Sequence, residues 1–125
     1  MKLVVCDDDP VIRYLLEVVL AKRAGHTVVV VGHPDAVAPA VAEHAPDLVV
    51  LDYVMPDRSA RDVVDELRAD PATAAVPVVY LTGRSDLGDD ADLAAIGVVG
   101  IVEKPFDTST LASRLAEMLG RAKSA

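Results

Sequence analysis

The chain has 125 residues, 52% of them hydrophobic and 26% charged, and its 20 acidic against 12 basic side chains leave a formal net charge of −8. That length fits one domain spanning residues 1–125 with no separate DNA-binding module, and its apolar content excludes a disordered acidic tail, which lacks the surface to offset chain entropy. Basic residues scattered through an acidic chain argue against direct nucleic-acid binding, because phosphate backbones are repelled.

The first apolar run, residues 3–6, leads into a segment where Ile12, Leu15, Leu16, Val19 and Leu20 form one helical stripe. Asp9 and Pro10 supply an N-cap and first-turn proline, and Gly25 a stop. A second run covers 28–31. In the following segment, 34–44, Pro39 stands in the interior, where proline costs about 3 kcal/mol, so the helix starts late or kinks. The third run, 48–51, precedes a helix beginning near Ser59. There Ser59 and Asp62 have capping-box spacing, and Val63, Val64 and Leu67 face inward. After the fourth run, 78–81, the segment beyond Ser85 has Gly88, the acids Asp86, Asp89, Asp90 and Asp92, and only Leu87, Ala91, Ala94 and Ala95 as its stripe. It is expected to be the least stable helix, its acids a solvated face. A weaker fifth run, 98–102, is followed by a helix from about Thr108, with Leu111, Leu115, Met118 and Leu119 on one face and Gly120 near its end.

The runs are rich in β-branched residues and do not alternate with polar ones, as expected for strands buried on both faces. Five βα units in succession point to a parallel sheet between helices, joined by right-handed crossovers. In such sheets ligands bind at the carboxyl ends of the strands. No segment resembles a leader or a membrane span, and the single Cys6 excludes an internal disulfide, so a cytoplasmic location is expected.

Polar residues follow the strands directly: Asp7 and Asp8 after the first, Asp52 after the third, Thr82 after the fourth and Lys104 beyond the fifth. Three carboxylates against one ammonium leave two negative charges, which one divalent ion balances; hard oxygen donors of this number favour Mg²⁺. Among the seven glycines there is neither a phosphate-loop nor a dinucleotide-binding pattern. His26, His33 and His44 lie away from the acids, and Cys6 lies within a strand. A carboxylate nucleophile beside a metal, a lysine and a hydroxyl has the parts phosphoryl transfer requires. Asp52 is the most plausible acceptor, while Asp7 and Asp8 suit metal holding. Asp9, before Pro10, reads as a cap, and Cys6 and the histidines as core and surface residues. Tyr14, Tyr53, Tyr80 and Phe106 are too dispersed for a stacking platform.

These residues resemble the receiver domain of two-component response regulators over nearly the whole chain, most closely the single-domain type. The matching pieces are 3–9 (LVVCDDD), 51–56 (LDYVMP), 81–83 (LTG) and 103–106 (EKPF). They are spaced 44 residues from Asp8 to Asp52, 30 to Thr82 and 22 to Lys104, intervals usual for that family. The resemblance implies a flavodoxin-like, doubly wound three-layer α/β sandwich: a parallel sheet of order 2-1-3-4-5 with five helices on its two faces. It implies that Asp52 accepts a phosphoryl group from a histidine kinase or histidine phosphotransfer protein. Asp8, Asp52 and the Val54 carbonyl would bind Mg²⁺, with Asp7 acting mainly through bound water. Lys104 would pair with the phosphoryl group and Thr82 would swing in to donate its hydroxyl, repacking the face of the fourth helix, fifth strand and fifth helix. If the chain is the whole gene product, output would come through docking to a downstream protein by a monomer or weak dimer, with no direct nucleic-acid or membrane contact; the alternative is a receiver cut from a longer regulator. The Lys104–Pro105 bond would be cis.

Several positions depart from the pattern. Ile101 stands where an aromatic switch residue is common. Ala60 replaces a frequent glycine and predicts an altered loop, because alanine tolerates positive φ poorly. Val54 and Arg84 flank the path of a hydrolytic water, and a branched apolar Val54 predicts slow phosphate loss. Competing readings are a receiver-like interaction module that works without phosphorylation, and a small Mg²⁺-dependent aspartyl phosphatase of the haloacid dehalogenase type. The latter usually has a second Asp two residues after the nucleophile, where Val54 stands. A flavin or nucleotide carrier lacks its phosphate loop. The domain is thus expected to be no enzyme, though one that assists its own phosphorylation and dephosphorylation.

Overall fold

A computed structural model describes residues 1–83 and 90–124 of the chain. Its strands are β1 (Lys2–Cys6), β2 (Thr27–Val31), β3 (Leu48–Asp52), β4 (Val78–Thr82) and β5 (Val98–Glu103), all parallel, in the order β2-β1-β3-β4-β5. The helices are α1 (Pro10–Glu17), α2 (Val37–His44), α3 (Ala60–Ala69), α4 (Asp90–Ala95) and α5 (Leu111–Ser124). None of the described helices is long and apolar enough to cross a membrane.

Two cores lie on opposite faces of the sheet, and strand alternation divides the side chains between them. Leu3, Val5, Leu48, Val50, Val79 and Leu81 pack with Leu16 and Leu20 from the first helical segment and Leu111 and Leu115 of α5. Val4, Cys6, Val49, Leu51, Val78 and Tyr80 pack with Val41 of α2 and Val63 and Leu67 of α3. Leu93 and Ile96, in and just after α4, join the latter face. Both sides of β1, β3 and β4 are therefore apolar. Edge strand β2 is only partly covered, so it departs from burial on both faces.

Capping follows the sequence closely. The Asp9 carboxylate accepts from Val11 N–H, with Pro10 opening α1. The chain continues from α1 as a wider π-helical turn (Val18–Arg23) and stops at Gly25, whose φ of 76° suits glycine. A 3₁₀ turn (Pro34–Ala36) precedes α2, so Pro39 falls in the first helical turn, where its missing N–H costs no helical bond. At α3 both bonds of the capping box between Ser59 and Asp62 are present.

Two boundaries differ from the sequence reading. Helix α5 starts at Leu111, because the Asp107 carboxylate accepts from Ser109 N–H and shapes 108–110 into a turn. Gly120 lies inside α5, which runs on to Ser124. In the weak helical segment, α4 is six residues long, and Asp86, Leu87, Gly88 and Asp89 lie outside the described residues. Ser59→Ala removes one bond of the capping box and should cost about 1 kcal/mol in urea unfolding, with an unchanged denaturant slope. A loss below about 0.3 kcal/mol would show that this cap contributes little.

Candidate functional site

Asp7 continues β1 by one residue and Asp52 ends β3, and each shares parity with its strand's side chains in the α1–α5 core. The adjacent strands β1 and β3 thus aim two carboxylates to the same side of the sheet edge. Both are almost wholly buried, Asp7 at 1% and Asp52 at 4% exposure. Asp8 is exposed beside them, and one ligand atom from each of Asp7, Asp8 and Asp52 lies within 4.8 Å of the others.

Lys104 reaches into this cluster from beyond β5. Its Nζ donates to Asp7 Oδ2 at 2.7 Å and lies 3.2 Å from Asp52 Oδ1. Two further bonds hold these acids: Asp9 N–H donates to Asp7 Oδ1 at 2.9 Å and Val54 N–H to Asp52 Oδ1 at 3.3 Å. Lys104 is itself placed by its backbone N–H, which donates to the Thr82 carbonyl at 2.6 Å, and the Lys104–Pro105 bond is cis. Thr82 ends β4, is 2% exposed and sits one residue beyond Leu81, the partner of Asp52 across the ladder. The sheet therefore gathers Asp7, Asp52, Thr82 and Lys104 at one edge, with Asp8 at its rim.

Electrostatics at this edge favour a cation. Burial, then the neighbouring Asp7, push the Asp52 pKa up to about 6 against the opposing pull of Lys104. Burial alone would lower the Lys104 pKa, yet its bond to Asp7 and the charge of Asp52 raise it. The lysine stays charged. Burial and the nearby acids push the Cys6 thiol up to about 12, so it stays protonated, with its Sγ 3.4 Å from Met55 Sδ. Hard oxygen donors set this close, and short of one divalent positive charge, fit Mg²⁺.

The loop from β3 to α3 is stitched to the 33–35 turn. His33 Nδ1 accepts from Asp35 N–H, which leaves Nε2 to donate to Asp57 at 3.0 Å in the neutral ring. Arg58 Nη1 bonds Asp35 at 3.1 Å and Glu66 at 3.0 Å. Asp57 has φ 71°, whereas Ala60 is the first residue of α3. The left-handed residue is thus an aspartate, and the loop alteration expected at Ala60 is not imposed by its φ. Val54 is 68% exposed at the start of this loop. Arg84 lies outside the described residues.

Asp9 caps α1 and stands outside the acidic cluster. Tyr53 and Tyr80, far apart in sequence, meet edge to face at 5.3 Å because β3 and β4 are neighbours; one such pair is no stacking platform. Arg13 was not legible as a site residue. Its Nη1 donates to the backbone carbonyls of Asp7 and Asp8, both at 3.0 Å, and carbonyl acceptors leave no mark in a residue pattern.

Comparison with known proteins identifies the family and the fold. The profile of the response regulator receiver domain matches residues 3–116. The DNA-binding response regulator MtrA of Mycolicibacterium smegmatis is 36% identical over 120 residues, covering 96% of this chain and 51% of MtrA. The transcriptional regulatory protein KdpE of Mycobacterium tuberculosis is 34% identical, covering 94% of this chain and 50% of KdpE. The chain spans about half the length of these relatives. A putative response regulator from Chloroflexus aurantiacus superposes with TM-score 0.82 at 25% identity, covering 96% of this chain and 98% of that one. Chemotaxis response regulator CheY4 of Vibrio cholerae shares the fold with TM-score 0.83 at 23% identity, covering 94% and 97%.

The Asp52 shift has a signed consequence for stability. With a folded pKa near 6 against 3.8 unfolded, Asp52 favours the fold while protonated, and that contribution is lost as pH rises from about 4 through 6. Without divalent cations, Asp52→Asn should therefore be more stable than the parent above pH 6, by on the order of 2 kcal/mol, with the gap closing toward pH 4. Urea titrations across this range check the sign, and a variant less stable at pH 7 would contradict it.

Proposed function

The chain belongs to the response regulator receiver domain family, a signalling domain of two-component phosphorelays, and from that premise we propose that Asp52 is its phosphoacceptor. The observation that carries this reading is Lys104 Nζ set between Asp7 and Asp52 in a cluster completed by Asp8. A carboxylate oxygen of Asp52 attacks the phosphorus of a phosphohistidine on a histidine kinase or histidine phosphotransfer protein. The new O–P bond forms as the P–N bond breaks, and its electron pair goes to the imidazole, which leaves as the neutral ring after taking up a proton.

Asp8, Asp52 and the Val54 carbonyl would hold Mg²⁺, with Asp7 acting through bound water. When bound, that ion neutralises charge on the phosphoryl oxygens and the carboxylates. The chain's own groups do the rest. Lys104 exchanges its contact with Asp52 for one with the phosphoryl group, keeping a cation beside the added charge. The Thr82 hydroxyl donates to a phosphoryl oxygen, and its movement lets Ile101, opposite Tyr80 in the ladder, repack toward the sheet edge. The affected face contains an open groove of about 500 Å³ lined by Leu93, Val99, Ile101, Met118 and Arg121. This groove lies away from the acidic cluster, so chemistry and output occupy different surfaces.

The domain acts in the cytoplasm as a monomer or weak dimer and signals by docking to a downstream protein. Its acidic character supports no direct DNA contact by this segment, whatever a longer relative does. As an aspartyl-phosphate carrier it assists its own phosphorylation and dephosphorylation without turning over a free substrate.

Incubation with acetyl phosphate or phosphoramidate and Mg²⁺ should add one phosphate-sized mass to the intact protein. The gain should be labile to hydroxylamine and absent from Asp52→Asn. No gain with either donor would favour the phosphorylation-independent module, and multiple turnover of p-nitrophenyl phosphate would favour the phosphatase. We propose that Val54, exposed two residues beyond Asp52, screens the acyl phosphate from water, so Val54→Asn should speed decay of the phosphorylated form several-fold. A rate equal to or slower than the parent's would reject that role.

A further inference from the structure

Arg13 is one helical turn into α1, remote in type from the acidic cluster, yet its guanidinium grips the chain that carries that cluster. Nη1 donates to the carbonyl of Asp7 and to the carbonyl of Asp8, each at 3.0 Å. Those carbonyls belong to the two peptide planes on either side of the Asp8 Cα. Fixing both planes fixes φ and ψ at Asp8, and with them the direction in which its Cβ leaves the backbone. In an extended strand successive carbonyls point to opposite sides, so a single nitrogen meets both only where the chain bends.

Asp8 needs such a device. Asp7 is buried and bonded to Lys104 and to Asp9 N–H, and Asp52 is bonded to Val54 N–H and paired with Lys104, whereas Asp8 is exposed at the rim. Its carboxylate nevertheless lies within 4.8 Å of the ligand atoms of the other two.

Gly32, just past β2, makes room for the clamp. A Cβ built there would fall 2.8 Å from Arg13 Nη1 and 3.1 Å from its Cζ. Such a contact displaces the end of a long side chain at little cost to the backbone, so any side chain at position 32 would push the guanidinium off its carbonyls.

We propose that Arg13, seated on Gly32, is a positioning residue that sets the Asp8 carboxylate for divalent-cation binding by clamping both peptide planes that flank it. The inference rests on the metal-site reading given above.

Mg²⁺ titration calorimetry on the full chain, paired with thermal melting in the absence of metal, tests it. Arg13→Ala should weaken Mg²⁺ binding about tenfold, the usual scale for groups that orient metal ligands. Gly32→Ala, which keeps the arginine but displaces it, should weaken binding several-fold while leaving the metal-free melting midpoint near the parent's. Arg13→Lys should recover little, because an ammonium on a flexible stem lacks the fixed fork. The double variant Arg13→Ala/Gly32→Ala should bind no more weakly than Arg13→Ala alone, since Gly32→Ala acts only through the arginine. Should Arg13→Ala fail to fold, the Gly32→Ala result decides alone. Parent-like affinity in Gly32→Ala, or a further loss on adding it to Arg13→Ala, would overturn the inference. A parent protein that binds no Mg²⁺ would overturn the metal-site reading itself, and this inference with it.

Discussion

One lysine ammonium stands between two buried carboxylates, 2.7 Å from Asp7 and 3.2 Å from Asp52, and every other feature of this strand edge is arranged around that shortage of positive charge. An ion pair shielded from water persists only when its partners are well bonded, because each charge has lost its hydration. Asp7 meets that condition through Lys104 and Asp9 N–H. At Asp52 burial and the neighbouring Asp7 charge outweigh Lys104 and the Val54 N–H, and its pKa rises to about 6. The site thus holds a carboxylate whose charge a bound cation would relieve, with Lys104 already beside it.

The fold produces this arrangement from ordinary strand physics. Parallel strands buried on both faces need apolar side chains up to their last residue, and whatever polar residue comes next is set at the carboxyl edge. Because β1 and β3 are neighbours in matching register, Asp7 and Asp52 emerge side by side. Strand β4 adds Thr82 next to β3, and the backbone bond from Lys104 to Thr82 carries the fifth strand's lysine inward. The loops are held from outside the cluster: Arg13 grips the β1–α1 turn, while His33 and Arg58 fasten the β3–α3 loop to the 33–35 turn. Surface pairs of the latter kind contribute little stability singly.

Much of this was legible in the sequence because it resides in residue type and spacing. The strand-terminal acids, the Asp9–Pro10 start and the Ser59–Asp62 box announce themselves, and the late start of α2 follows from Pro39. Contacts that use backbone atoms were not legible. Nothing in a residue pattern shows that Arg13 donates to two carbonyls, or that its guanidinium lies where a side chain at Gly32 would begin. Helix α5 begins later than Thr108, where its apolar stripe suggests, because Asp107 diverts the chain into a turn before Leu111. The left-handed conformation near the β3–α3 loop falls on Asp57, whose carboxylate reaches across to His33 in the 33–35 turn, and not on the alanine that replaces a familiar glycine.

The most direct test of the account is the thermal midpoint of the protein measured against Mg²⁺ concentration, for the parent and for Asp8→Asn. If the three carboxylates form one cation site, the parent should be stabilised with the logarithm of free Mg²⁺, by about 2.7 kcal/mol at a hundred times the dissociation constant. Asp8→Asn should show a much smaller rise over the same range. A parent midpoint that does not move, or a rise equal in the two proteins, would contradict the claim that these acids converge to hold a single ion.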